Sequence, residues 1–186
     1  MTKRIIPLIL FLLIIIVGCR KTANEKQSQA TSNTIKKDTT LVFDTVTTPQ
    51  YDVYCNTRYN YCIKYPKTIL IPQGESDNGD GQVFSTQDGE NELRVYRDAR
   101  TITISRNFSI EMAYDQDMAE RSKSSEITYH KVDDNFYVLS GYQGENIFYQ
   151  KTIYRDGELT TAILTYRKGN RAQFDNLIEP IFSSLK

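Results

Sequence analysis

Short runs in which apolar and polar residues alternate fill the chain beyond Gln50, and they constrain its fold more than any other feature of the sequence. Successive side chains of a strand point to opposite faces, so such runs predict strands with one buried face. The first predicted strand ends at Pro66 and has an aromatic face formed by Tyr59, Tyr61, Ile63 and Tyr65. Three further short strands are predicted at residues 83–84, 93–95 and 102–104.

The second half of the chain predicts four more strands in quick succession. They cover residues 126–132, 135–142, 146–154 and 158–166. Their connections are short: Asp133 and Asp134 separate the first two, and Asp156-Gly157 is a hairpin signal before the last. Since parallel strands need long crossover connections, these strands are expected to form an antiparallel meander.

Two helices are predicted to accompany the strands. Ser109 is a candidate N-cap for a helix that runs to about Arg121, with Glu111 favourably placed in its first turn. Pro180 lies inside a predicted C-terminal helix and is expected to bend it. The apolar residues of that helix recur at helical spacing, as expected for a helix that covers a sheet: Phe174, Leu177, Ile178, Ile181, Phe182 and Leu185.

The order of these elements resembles that of a known fold family, the PsbP-like fold, which also includes the Ran-binding Mog family. The resemblance covers residues 51–186 and implies an α+β domain, an α/β/α sandwich with a central antiparallel sheet. It rests on the element order and on three short segments, namely Tyr65-Pro66, Ser140-Gly141-Tyr142 and the C-terminal Ile181-Phe182-Ser183-Ser184-Leu185.

Members of this fold act as small-GTPase binders or as photosystem assembly and stability factors. No residue-level motif of either activity matches this chain, and a shared fold carries little functional information by itself. The resemblance therefore predicts a fold, while the function has to be argued from individual residues.

The N-terminus has the layout of an exported protein. Lys3 and Arg4 precede an apolar run, residues 5–17, which is shorter than the roughly 20 residues of a membrane-spanning helix. The run ends at Gly18 and Cys19 and resembles the lipobox of bacterial lipoproteins. That resemblance implies a signal peptide over residues 1–18, a lipid-modified Cys19 that anchors the chain to the membrane, and, from Arg20, the outer membrane. An ordinary secretory signal with a chance cysteine is the alternative.

A polar segment, residues 19–50, follows the predicted cleavage point. It is rich in Lys, Thr, Ser, Asn and Gln, and it has too few large apolar residues to offset the entropy of ordering. We expect a flexible tether that holds the domain away from the membrane. Residues 41–43 with Val46 are more apolar and could add a strand to the domain's sheet or bind a partner.

The charge balance excludes one class of partner. Lys and Arg together number 23, as do Asp and Glu, so the formal net charge is +0. Such a chain has no long-range field to gather nucleic acid, and no basic stripe is interleaved with aromatic residues. We therefore expect no nucleic-acid binding. No cofactor is predicted either, and the expected partner is an unidentified protein or envelope component.

Cys55 and Cys62 form an even pair once Cys19 is assigned to lipid. In an oxidising compartment, and with a turn at residues 57–60, they could face each other and form a disulfide. The alternative is a pair of buried thiols.

The chain offers little for catalysis. His130 is its single histidine, and no Gly-x-Ser-x-Gly motif accompanies it, so a structural or surface role is favoured over a hydrolase. One histidine and no spare set of cysteines are also too few ligands for a zinc site. No catalytic residue and no metal site are predicted.

Residues 73–81 are the most unusual segment of the domain, because acidic side chains and glycines are concentrated there. Their spacing does not fit a calcium-binding loop, and Asn-Gly and Asp-Gly pairs are common in solvated turns. Loops carry function more often than strands do, so the segment is still the candidate binding loop. Its candidate residues are Glu75, Asp77, Asn78 and Asp80.

Two functional classes remain open at this point. The first, which is favoured, is a non-catalytic module at the bacterial envelope that binds through a sheet face or the loop at residues 73–81. The chain contains 13 tyrosines, which suit either a core rim or contact with proteins and glycans. The second class is an envelope hydrolase that uses His130 or the carboxylates near Asp77.

Overall fold

The computed structural model describes residues 48–100 and 108–186, all within a compact unit that spans Thr45–Lys186. The predicted signal peptide, Cys19, the tether up to residue 47, which includes the apolar residues 41–46, and the strand at 102–104 lie outside the described residues. No helix in the described ranges is long and apolar enough to cross a membrane.

Within the described residues, nine strands form two antiparallel sheets. β1 and β2 form a two-stranded sheet, and the other strands form a seven-stranded sheet in the order β3-β4-β5-β9-β8-β7-β6. The strands are β1 (Tyr51–Asn56), β2 (Tyr61–Pro66), β3 (Ile71–Glu75), β4 (Gly81–Ser85), β5 (Glu92–Asp98), β6 (Glu126–Asp133), β7 (Phe136–Gln143), β8 (Asn146–Arg155) and β9 (Glu158–Arg167). The predicted antiparallel meander of the second half is confirmed by the β6–β7, β7–β8 and β8–β9 pairings.

The described residues also form the α-helices α1 (Ile110–Arg121) and α2 (Arg171–Phe182), the second preceded by a short 3-10 turn at Lys168–Asn170. Ser109 caps α1 as predicted, because its hydroxyl accepts a hydrogen bond from the Met112 backbone N–H at 3.4 Å. Pro180 lies inside α2.

The helices pack with different sets of strand side chains. Leu164 of β9 belongs to the same buried cluster as Phe174 of α2. Leu159, at a position of opposite parity in the same strand, belongs to a second cluster with Ile110 and Ala113 of α1. Because alternate side chains point to opposite faces, the two clusters lie on opposite sides of the sheet, called here the α2 face and the α1 face.

The two-stranded sheet joins the core of the α2 face. Tyr61 and Ile63 of β2 are buried in the same cluster as α2. The free edge of β2 pairs with the end of the chain, since the Cys62 N–H donates to the Lys186 carbonyl at 2.9 Å. Tyr59 was predicted to share the strand face with Tyr61, but it lies in the β1–β2 turn instead.

Two irregularities were not foreseen. Part of the predicted loop, Gln73 to Glu75, belongs to the exposed edge strand β3, which pairs with β4 across a register shift. A second register shift in β6 places Ile127 on the α1 face and Tyr129 on the α2 face, although simple alternation put them on one face. Gly141 faces this bulge, where an added Cβ would lie 1.9 Å from the Glu126 carbonyl oxygen.

Candidate functional site

The acidic segment is a tight turn that uses its own oxygen atoms. The Asp80 carboxylate accepts hydrogen bonds from the Ser76 hydroxyl at 2.6 Å and from the Asn78 side-chain amide at 2.7 Å. Gly79 occupies the left-handed region with φ +65°, which glycine adopts at low cost. Both Asp80 oxygens are therefore engaged in shaping the turn.

The two-stranded sheet holds this turn in place through four hydrogen bonds of 2.8–2.9 Å. The Tyr54 hydroxyl donates to the Glu75 carboxylate, and the Tyr61 hydroxyl donates to the Asp80 carbonyl. Burial raises the pKa of both tyrosines, so the hydroxyls remain donors well above neutral pH. The other two donors are the side chains of Asn56 and Arg58, which bond the carbonyls of Gly79 and Asn78.

A disulfide joins Cys55 to Cys62 directly across the β1–β2 pair, with Cα atoms 4.1 Å apart. The bridge that the sequence left open against two buried thiols is therefore present. It closes the short hairpin that carries Tyr54, Asn56 and Arg58. The covalent link and the hydrogen bonds together make the turn at residues 76–80 part of a fixed scaffold.

A groove with a volume of about 620 Å³ opens beside this turn. Glu75 and Asp80 of the predicted binding loop line it, whereas Asp77 and Asn78 do not. The floor is the α1 face of the sheet at β4, β5 and β9, where Val83 pairs with Arg94 and Arg94 pairs with Ile163. The groove therefore combines an apolar floor, an exposed cation and an acidic rim.

A polar network lies on the same face, where α1 covers the sheet. The Asp117 carboxylate of α1 accepts hydrogen bonds from Arg100, from the Tyr137 hydroxyl and from the Gln150 side-chain amide. The network continues from Gln150 to Thr152 at 3.3 Å, and then between the Thr152 and Thr161 hydroxyls at 2.9 Å. These links connect α1 to β7, β8 and β9.

Charge and burial set the protonation states of this network. Burial, and then the nearby Asp117 charge, raises the pKa of Tyr137. Burial disfavours the charged form of Arg100, but its hydrogen bonds and charge interactions with Asp98 and Asp117 prevail and raise its pKa. The network is thus held with a neutral phenol and a charged guanidinium.

The sequence analysis missed this network. A signal was present in β8, where Gln150 and Thr152 share a face with Phe148 and interrupt an otherwise apolar set of positions. Thr161 of β9 lies directly opposite Thr152. A row of polar residues at positions that face a helix indicates a buried hydrogen-bond network.

Arg121 lies at the end of α1 beside this network. Its Nε donates to the side-chain amide oxygen Oε1 of Gln150 at 2.9 Å, and its guanidinium lies 4.6 Å from the centroid of the Phe148 ring. Burial lowers its pKa, and no carboxylate forms an ion pair with it within the described ranges. Tyr96 lines the groove and also the small cleft that contains Arg121, so the two spaces adjoin.

His130 lies apart from the groove, on the exposed edge strand β6. Its Nδ1 is 3.0 Å from the Tyr114 hydroxyl of α1, which orients the ring. No serine, cysteine or carboxylate hydrogen-bonds to it among the residues that the structure describes. In the same residues, no group of three or more His, Cys, Asp or Glu side chains is placed to hold a metal ion.

No family model and no curated protein matches this sequence. Among solved structures, the chain is similar to the cyanobacterial PsbP, CyanoP, of Synechocystis, with a TM-score of 0.54 and 17% identity over 76% of this chain and 95% of that one. A protein of unknown function from Pseudomonas aeruginosa matches at a TM-score of 0.38 and 11% identity, over 70% of this chain and 92% of that one. The first likeness confirms the predicted PsbP-like α+β fold, and the second is too weak to inform it.

Proposed function

We propose that this protein is a non-catalytic binding module of a bacterial cell envelope, anchored by lipid on Cys19, which holds a partner protein in the groove on its α1 face. The observation that carries the proposal is the construction of the groove. Its rim is a turn fixed by the β1–β2 disulfide hairpin, and its floor is a continuous antiparallel sheet. Rigid elements that present a mixed apolar and charged surface are suited to specific binding.

The charges of the site favour a partner with acidic groups. Arg94 is exposed on the groove floor, and its ion pair with Glu92 at 2.9 Å is a surface pair that contributes little stability. Arg121 is half-buried and bonds to neutral groups. A partner carboxylate near either guanidinium would form a charge-assisted hydrogen bond, which is stronger than a neutral one.

The hydrogen bonds that the reactive side chains form support a non-catalytic role. Glu75 and Asp80 accept hydrogen bonds that hold the turn, and His130 bonds to a tyrosine of α1. A general base needs a nucleophile or water within hydrogen-bond reach, together with a group that orients it. Glu75 and Asp80 line the groove, whereas His130 lies apart from it on β6, so the histidine does not converge with these carboxylates.

The three-layer arrangement belongs to the proposal as well. Hydrophobic clusters on both faces of the seven-stranded sheet, one with α1 and one with α2, support an α/β/α sandwich. In that arrangement α1 covers β7 and β8, and neither helix of the described residues covers the part of the same face at β4, β5 and β9, where the partner is proposed to bind.

The envelope location and the outer membrane rest on the N-terminal sequence, where Lys3, Arg4 and an apolar run precede Gly18-Cys19. Cys19→Ser should abolish incorporation of a labelled fatty acid and leave the protein unprocessed or released from membranes. Cys55→Ser is the matched control and should keep the label. Label retained in the Cys19 variant would exclude this residue as the anchor.

The groove is tested with two charge-reversal variants that are otherwise alike. Arg94 and Lys131 are both exposed strand cations that pair with an acid two positions away. Partner recovered from solubilised membranes with the intact anchored protein should fall about tenfold for Arg94→Glu, which corresponds to about 1.4 kcal/mol. Lys131→Glu should leave recovery unchanged, and an equal loss in both variants would contradict the proposed surface. His130→Ala should also leave recovery unchanged.

A further inference from the structure

A second cleft, with a volume of about 330 Å³, lies on the α2 face of the sheet, away from the groove. It lies between α2 and strands β6, β7, β8 and β9. Tyrosine is its dominant residue type, since Tyr129, Tyr142, Tyr149 and Tyr166 all line it. The register shift in β6 brings Tyr129 to this face, where the side chain is 51% exposed. We call this space the tyrosine cleft.

Three of the four phenol hydroxyls are available to a ligand. In the part of the chain that the structure describes, the hydroxyls of Tyr129, Tyr142 and Tyr149 have no hydrogen-bond partner within the protein. The fourth, from Tyr166, donates to the Asp175 carboxylate at 2.6 Å. Burial raises the pKa of Tyr149, which keeps its hydroxyl a donor. The cleft therefore presents flat apolar rings together with free hydroxyl groups.

The charges of the cleft cancel. Arg171 Nε donates to the second Asp175 oxygen at 3.2 Å, so the only opposite charges among the lining residues form a pair. Lys168 lies nearby over the Tyr142 ring at 5.2 Å, and Glu145 is 3.8 Å from its ammonium group. A cleft without net charge gives no electrostatic advantage to an anionic or cationic ligand.

We propose that the tyrosine cleft binds a neutral carbohydrate ring. A sugar has an apolar face of C–H groups that can lie on a tyrosine ring, and hydroxyls that both donate and accept hydrogen bonds. The free phenols can donate to or accept from those hydroxyls, and the Asp175 carboxylate and Arg171 guanidinium supply further polar partners at the end of the cleft. The volume lies at the lower end of the range for small-ligand sites, so one or two rings fit better than a long chain.

Tyr129 is the expected anchor, because it is the most exposed ring of the cleft. Tyr129→Ala removes the stacking surface and should weaken sugar binding at least about tenfold. Tyr129→Phe keeps the ring, loses the hydroxyl, and should weaken it only a few-fold. Val53→Ala, at another exposed apolar residue outside the cleft, is the matched control and should leave binding unchanged.

The experiment titrates the folded protein with chitobiose, maltose and cellobiose while the tyrosine ring resonances are followed by NMR. We expect at least one disaccharide to bind. Its binding should be weakened most by Tyr129→Ala, less by Tyr129→Phe, and not at all by Val53→Ala. Shifts confined to resonances outside the cleft, or no binding of any of the three by correctly folded protein, would overturn the proposal. Co-sedimentation with insoluble envelope glycan then distinguishes a polymeric source of the sugar from a free one. If the source is polymeric, the wild type should pellet with the glycan and Tyr129→Ala should stay in solution.

Discussion

The two helices cover one sheet in different ways. α2 buries Phe174, Leu177, Ile181 and Phe182 in a cluster made of apolar residues and tyrosine rings. α1 buries Ile110 and Ala113, and further along the helix it presents Asp117 to a network of polar side chains. The first layer excludes water, and the second holds charged and polar groups in fixed positions.

The two layers therefore contribute differently: the layer with α2 mainly stabilises the fold, and the layer with α1 mainly fixes side-chain positions next to the proposed binding surface. Burial of apolar area is the main stabilising contribution to folding, and the buried apolar cluster that includes α2 is larger than the one that includes α1. A buried polar network contributes little net stability, but it fixes geometry because each member constrains its partners. The groove adjoins the polar layer, so the surface proposed for binding borders the part of the fold in which side-chain positions are most strictly determined.

The largest effect on stability is expected in the α2 layer. Phe174 is completely buried and stacks with Tyr166 at a centroid distance of 5.3 Å. Phe174→Ala should lower the free energy of unfolding by about 3–5 kcal/mol, because it leaves a cavity that the core fills only partly. Urea denaturation measures the change. Met112→Ala, on the exposed side of α1, should stay within about 0.5 kcal/mol and serves as the control.

The next effect should come from the polar layer. Asp117→Ala leaves Arg100, Tyr137 and Gln150 without their shared acceptor and should cost about 3 kcal/mol, discounted from a fully buried pair because Asp117 is 18% exposed. A double-mutant cycle with Tyr137→Phe should then show a coupling energy of about 1 kcal/mol. Strictly additive losses would show that the contacts are not a network.

Loss of the disulfide should lower the stability less than the two changes above, and it should mainly loosen the turn that the hairpin holds. The double variant Cys55→Ser, Cys62→Ser should lower the free energy of unfolding by about 2 kcal/mol, since the bridge closes a short loop. Because the hairpin holds the turn at residues 76–80, hydrogen exchange of the Asp80 and Gly81 amides should accelerate. Exchange in α2 that accelerates more than exchange in the turn would contradict this account.

The smallest effect concerns alkaline pH. A tyrosine whose pKa is raised by folding stabilises the protein fully below the unfolded pKa of about 10, and this contribution is lost as pH rises toward the folded pKa. Tyr137 has such a raised pKa. By pH 11 the wild type should therefore have lost about 1 kcal/mol more stability than Tyr137→Phe, relative to pH 9. Parallel pH profiles of the two proteins would indicate that Tyr137 titrates normally.

Much of the fold was predictable because it follows from local patterns. Alternation located β4, β5 and the four strands of the second half, and helical spacing located α2. Simple alternation fails at β6, because the register shift there depends on close approach of the Gly141 backbone to Glu126. β3 was missed since its sequence contains Pro72 and Gly74 and all of its residues are exposed.

The candidate site was predictable in part. The sequence identified the segment at residues 73–81 as unusual, and Glu75 and Asp80 do line the groove. Its other walls come from β4, β5 and β9, which are far apart in the chain and are brought together by long-range strand pairing. The polar positions of β8 indicate a network, but its acceptor Asp117 depends on how α1 docks on the sheet, which no local pattern encodes.

Site-specific crosslinking is the most direct test of the central claim, which is that the groove on the α1 face binds the partner. A benzophenone side chain is placed at Val83 on the groove floor or, as a control, at Val53 on the hairpin, which is 52% exposed. Illumination of intact membranes should give one discrete partner adduct from position 83 and none from position 53. An adduct from position 53 without one from position 83 would contradict the account.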